Sequence, residues 1–267
     1  MADTLLHITL ARQIAQHPLL HGDVGRWLTR HSDDYLLGSA AFDLPYYENL
    51  LFNGILTLRG RSVPYHPFGQ CIHEHACRDT CIALLDAATE RPALAFALGA
   101  LTHFAVDIVF HREIEQRIRH SSLCHDTLER RIGLLCHYRL LGHACVGTAT
   151  AHESTFLFPH FDWAAFFRST LARFYPNTPD TFELTGWQRG LRSFGYLYSK
   201  PWFPWLNTAV QPDEELESLA VGLMNDATDK AVTYLNGAHA VKTGQMSRTQ
   251  LENIIPALRM SDGLPER

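Results

Sequence analysis

Three residues able to bind metal recur at steps of four in the most apolar part of this chain: His103, Asp107 and His111. On an α-helix each step of four turns the side chain by only about 40°. All three then project from one stripe, stacked over about two turns. A second pair, His125 and Glu129, follows at the same spacing. Imidazole and carboxylate together suit divalent metals, zinc most simply, and two facing helices could bring the five groups to one polar pocket. The neighbours sharpen this reading. Ala100, Leu101, Phe104, Ala105, Val106, Ile108, Val109 and Phe110 fill the intervening positions. An aspartate in that company is costly to bury unless it is paired or bound to metal. The plainer alternative is coincidence: with 16 histidines in the chain, some fall four apart by chance.

The pattern Gly99-x-x-x-His103-x-x-x-Asp107-x-x-x-His111, followed by His125-x-x-x-Glu129, resembles the zinc-dependent phospholipase C family, which is all-helical. Two other segments are similar to it. His7, in LLHITLARQIA, matches a helical histidine near the family's N-terminus. Gly38-Ser39-Ala40-Ala41-Phe42-Asp43 matches a segment of the form Gly-small-x-small-Pro-Asp, with Phe42 in place of the proline. The resemblance covers roughly residues 4–140. It implies a multi-helix bundle of that type and a metal-dependent hydrolase acting on a phospholipid head group or a small phosphoester. It also implies ligand sets: Asp43, His66, His103 and Asp107 for one zinc, and His111, His125 and Glu129 for another. Asp107 would bridge, and His7 would serve a third ion if there is one. Asp43 would also orient or deprotonate the attacking water. For the histidine that follows Asp43, His66 is the first candidate, with His73 and His75 competing. Positions i and i+2 of a helix point apart, so at most one of His73 and His75 faces the site.

Two other functions fit the same residues. Histidine and carboxylate also hold iron or manganese, which would make this a non-heme iron or manganese enzyme. A helical interaction protein with a structural metal, or with none, is the non-catalytic alternative; structural zinc usually closes all four positions with protein ligands.

The elements that must position these groups read as helices throughout, an all-α chain. Its 267 residues, 46% hydrophobic and 19% charged, suffice for one helical domain with a real core. A metal-site half spans about 1–150, an aromatic-rich helical half about 151–240, and a polar tail 241–267 is expected to dock loosely. Helices are expected at 4–17, from about 73 to 89, 93–120, 125–143, 161–174, 184–198 and 213–236. Gly22 to Asp34 reads as a polar connection with one amphipathic turn, and 53–70, rich in Gly, Pro and Arg, as a loop. Trp202, Phe203 and Trp205, around two prolines, could wall a substrate's organic part. A net charge of −5 argues against a broad nucleic-acid surface. No signal-peptide pattern and no run of 18 apolar residues is visible, so no transmembrane segment is expected. Six cysteines without a C-x-x-C pair read as reduced thiols of a cytoplasmic protein.

Overall fold

The structure is a computed structural model and describes residues 4–48, 66–118, 125–141, 156–198 and 214–266. Among the described residues every extended element is helical. The elements are α1 (Thr4–Ile14), α2 (Gly22–Arg30), α3 (Ser32–Ala40), a 3₁₀ helix (Ala41–Tyr47), α4 (Pro67–Glu74), α5 (Cys77–Ala87), α6 (Arg91–Ile118), α7 (His125–Leu141), α8 (Trp163–Leu171), α9 (Thr181–Tyr198), α10 (Glu214–Lys242) and α11 (Arg248–Ile254). One isolated bridge, Leu258 to Pro265, is the only β pairing among them.

The 28-residue α6 is the axis of the bundle. It begins with Pro92 in its first turn, where a missing N–H costs nothing. Its length and composition would let it cross a membrane, but 89% of its most apolar window is buried inside the protein. The apolar run is therefore a core helix. Around it pack α3, α10, α5 and α7, with α1 lying across α3 and α9 against the 3₁₀ helix.

The α3–α6 contact is the closest, and two glycines explain it. A Cβ on Gly99 would stand 2.0 Å from the Tyr35 carbonyl oxygen, and one on Gly38 would stand 2.0 Å from that of Phe96. Only side chains without a Cβ let the two backbones approach this far. Beside this contact Tyr35 and Thr102 share a 3.0 Å hydrogen bond. The buried Asp34 accepts from the His160 backbone N–H at 2.7 Å, tying α3 to the segment that leads into α8.

Three expectations are corrected here. The polar stretch from Gly22 is a full helix, α2, followed by the start of α3. Its amphipathic spacing buries Val24 and Leu28, while its charges stay outside. The helix expected from about residue 73 is two helices, broken at Ala76, whose backbone turns left-handed (φ +50°). The tail is not loose: Met260 is fully buried, and the Cys77 backbone N–H donates to Glu266 Oε1 at 2.9 Å. Polar composition concealed this because a few spaced apolar side chains, Leu251, Ile255 and Met260, seat the tail on the core. The Trp202–Trp205 stretch lies outside the described residues.

Candidate metal centre

The site is built where α1, the 3₁₀ helix, α4, α6 and α7 converge. On α6, His103, Asp107 and His111 do project from one stripe, and all three are buried. The 3₁₀ helix brings Asp43 against them, α1 brings His7, α4 brings His73, and α7 brings His125 and Glu129.

The inner part of the site consists of Asp43, His73, His103 and Asp107. Asp43 Oδ1 lies 3.5 Å from His73 Nε2 and 4.0 Å from His103 Nε2. Asp107 Oδ2 lies 3.6 Å from His73 Nε2 and 3.0 Å from His103 Nε2. These four atoms are buried and have no hydrogen-bond partner. They stand within ion-pair reach of one another but make no directed hydrogen bond, an arrangement that fits a common partner. Tetrahedral zinc, with bonds of about 2.0–2.1 Å, holds its ligands about 3.3 Å apart. The observed separations bracket that value. The residues present therefore fit a metal ion.

The outer part is His111, His125 and Glu129. His111 Nε2 lies 3.0 Å from Glu129 Oε1, and His125 Nε2 lies 3.5 Å from Glu129 Oε2. Asp107 joins the two parts: its Oδ1 is 4.0 Å from His111 Nε2 and 3.1 Å from His7 Nε2. His7 also stacks on the His103 ring, with centroids 4.0 Å apart. His7 with His103 and Asp107 makes a third grouping of potential ligand atoms.

The outward ring nitrogens show how the imidazoles are aimed. His103 Nδ1 donates to the Ser39 carbonyl at 2.8 Å and His73 Nδ1 to that of Gly69 at 2.7 Å. His111 Nδ1 donates to the Met260 carbonyl at 2.7 Å, and His125 Nδ1 to Glu115 Oε1 at 2.7 Å. Each bond aims the ring so that Nε2 faces the centre, the arrangement found behind metal-bound histidines. Asp43 is held the same way, accepting at Oδ2 from the Thr4 hydroxyl at 2.9 Å.

Electrostatics agree with ionised carboxylates. Burial pushes the Asp107 carboxyl up, but the imidazoles of His103, His111 and His7 outweigh it and hold it well below the usual range. Asp43 is likewise held low against its burial, by His103, His73 and His7. Burial lowers His103 and His111, yet Asp107 with Asp43 raises the first to about 9, and Asp107 with Glu129 raises the second to about 10.

A cleft of about 270 Å³ opens over this centre. Asp43, Glu74, Glu115, Glu129 and Asp262 are among its walls, with Tyr46 and Ser261, and no Lys or Arg among the described residues lines it.

His66 does not join the site. It caps α4, accepting at Nδ1 from the Gly69 backbone N–H at 3.3 Å, and its Nε2 pairs with Glu48 at 2.5 Å. Immediately before Pro67, its ring is committed to the helix end, whereas His73 stands two turns further along on the face toward Asp43. His73, not His66, stands beside Asp43, and His75 is exposed just past the end of α4, its carbonyl accepting from the Tyr175 hydroxyl. Sequence reasoning also passed over Glu115, although it extends the steps of four from His103 through His111. Nothing in the composition pointed to Met260, Ser261 and Asp262, which arrive from the far end of the chain.

The chain matches the family model described as zinc dependent phospholipase C over residues 6–178. No curated protein and no solved structure matches it. The match spans well over half of the chain, so the chain belongs to the zinc dependent phospholipase C family.

Proposed function

We propose, taking membership of the zinc dependent phospholipase C family as the premise, that this protein is a zinc-dependent hydrolase of phosphoesters, acting on a phospholipid head group or a small phosphodiester. The observation that carries the reading is the set of four orphaned, buried ligand atoms on Asp43, His73, His103 and Asp107. The cleft supports it. A phosphate is an anion, and the cleft carries Asp43, Glu74, Glu115 and Glu129, with Asp262 paired to Arg259, so bound cations would favour it there.

Asp43, His73, His103 and Asp107 would hold one ion, and His111, His125 and Glu129, with Asp107 between the two sets, another; His7 is placed to serve a third through Asp107. Bound zinc would supply positive charge for the phosphoryl oxygens and lower the pKa of the attacking water. The protein's own share is geometric. The Nδ1 hydrogen bonds would hold four imidazoles with Nε2 aimed at the centre. Asp43, beyond holding metal through Oδ1, would help orient the attacking water, as the family resemblance implies. The small cleft suits a head group rather than a whole lipid, whose apolar chains would remain outside. The described thiols Cys71, Cys77, Cys81 and Cys136 are free, which suits a reducing compartment such as the cytoplasm.

The test is metal analysis of untagged protein with hydrolysis assays on phosphatidyl head groups and on a small aryl phosphodiester. Two or three equivalents of zinc, with hydrolysis lost on chelation and restored on re-addition, is the expected result. Protein that is folded, takes up no zinc and hydrolyses neither substrate overturns the reading.

A further inference from the structure

Residues 256–266 lie beyond the stretch that matches the family, yet they reach the centre. They form a small, self-bonded loop. Leu258 pairs with Pro265, the Arg259 N–H donates to the Leu264 carbonyl at 2.8 Å, and the Gly263 N–H donates to the Arg259 carbonyl at 2.9 Å. The Arg259 guanidinium forks onto the Asp262 carboxylate, with Nε 3.0 Å from Oδ1. Gly263 closes the turn at φ +64°, pressed so tightly on α6 that a Cβ would stand 2.6 Å from the Ile108 carbonyl oxygen. The loop is seated on one turn of α6, Ile108 to Arg112, which carries His111.

Its two central residues touch both parts of the site. The Met260 carbonyl accepts from His111 Nδ1, and the Ser261 N–H donates to the His73 carbonyl at 3.1 Å. Met260 and Ser261 are neighbours in sequence, so one rigid peptide unit spans from the outer ligand set to the inner one. His73 and His103 take their Nδ1 acceptors from Gly69 and Ser39, inside the matched region. His111 alone among the four takes its acceptor from the tail.

We infer that this C-terminal strap is the positioning element of the outer metal position: the Met260 carbonyl fixes the His111 ring, and the Met260–Ser261 unit sets its place relative to His73. The inference rests on the metal-holding reading of the centre. Losing such an outer hydrogen-bond partner typically weakens metal binding by about 10–100-fold.

The test uses the full chain with Gly263→Val, which cannot keep its backbone angle or its seat on Ile108, and Arg259→Met, which removes the internal fork without a clash. Zinc affinities are read by chelator competition, and the His111 ring nitrogens by NMR of the metal-free protein. Expected is a 10–100-fold weakening of one class of zinc in Gly263→Val, the class that Glu129→Gln also loses, with a smaller shift of the same class in Arg259→Met. The His111 Nδ1–H signal should broaden or disappear in both, while that of His103 stays. If Gly263→Val does not fold, Arg259→Met decides. Unchanged zinc affinities, or all classes weakened equally, overturn the strap while leaving the metal centre intact. Wild-type protein that takes up no zinc overturns both.

Discussion

The inner and outer ligand sets are made from the same residue types, yet they are held by different means. Asp43, His73, His103 and Asp107 are buried, and of their orienting partners Thr4 and Ser39 come from helices packed on α6, while Gly69 comes from α4, which packs on the 3₁₀ helix. His111, His125 and Glu129 line the cleft, with His125 partly exposed, and are oriented by Glu115 and by a carbonyl from the tail. The inner set is thus part of the core, and disturbing it disturbs folding. The outer set is buried at His111 and Glu129 and partly exposed at His125, so loosening it is expected to disturb the bundle less. The difference is one of support: the inner set presents four buried atoms without a directed hydrogen bond, while the outer set includes the partly exposed His125 and draws an orienting carbonyl from the tail.

The largest expected effect comes from the residue common to both sets. Asp107→Asn keeps the size but removes the charge that His7, His103 and His111 all face; at least one zinc equivalent should be lost, and kcat should fall by about 10³-fold. Metal analysis and hydrolysis rates check this, and a variant that keeps every equivalent would erase the claim that Asp107 joins the sets. Next comes Gly99→Val, which drives atoms into the Tyr35 carbonyl. Forcing α3 from α6 should destabilise the metal-free protein by about 1–3 kcal/mol or more and weaken inner zinc first, since Ser39 leaves His103. Denaturant unfolding beside chelator competition separates the two effects.

Glu115→Gln acts on the outer set alone. It keeps a hydrogen-bond acceptor for His125 but removes the charge, so one zinc class should weaken by about tenfold with no change in unfolding midpoint of the metal-free protein. The two sets should also respond together to pH. In the metal-free protein the paired carboxylates raise His103 to about 9 and His111 to about 10, against 6.5 for an ordinary histidine. Their contribution to stability is complete below about pH 6.5 and is lost as pH rises through 9 and 10. Zinc must displace those protons, so its affinity changes in the opposite sense and grows with pH. Calorimetry in buffers of different ionisation enthalpy should count protons released at pH 7; release of none would contradict the paired geometry. The smallest effect belongs to His66→Ala. It should leave zinc stoichiometry unchanged and cost about 1 kcal/mol through the lost cap of α4, whereas His73→Ala should remove a zinc equivalent.

Much of this centre was legible before any fold was known. Steps of four on an apolar run can only be one helical stripe, so His103, Asp107 and His111 had to face the same way, and the burial cost of Asp107 pointed to a charged partner. Gly38 and Gly99 were legible as small residues, though not as the point where two backbones touch. The choice among His66, His73 and His75 was not legible, because it depends on where α4 begins and which of its faces meets the 3₁₀ helix. Local sequence allows each of the three histidines; packing selects one. The tail was furthest from view. Its polar composition describes side chains, whereas its contribution at Met260 and Ser261 is made by backbone groups, which every sequence possesses and only a tertiary structure can aim. Helical periodicity alone determined which ligands share a stripe; long-range packing decided which residues meet them and which carbonyls hold their rings.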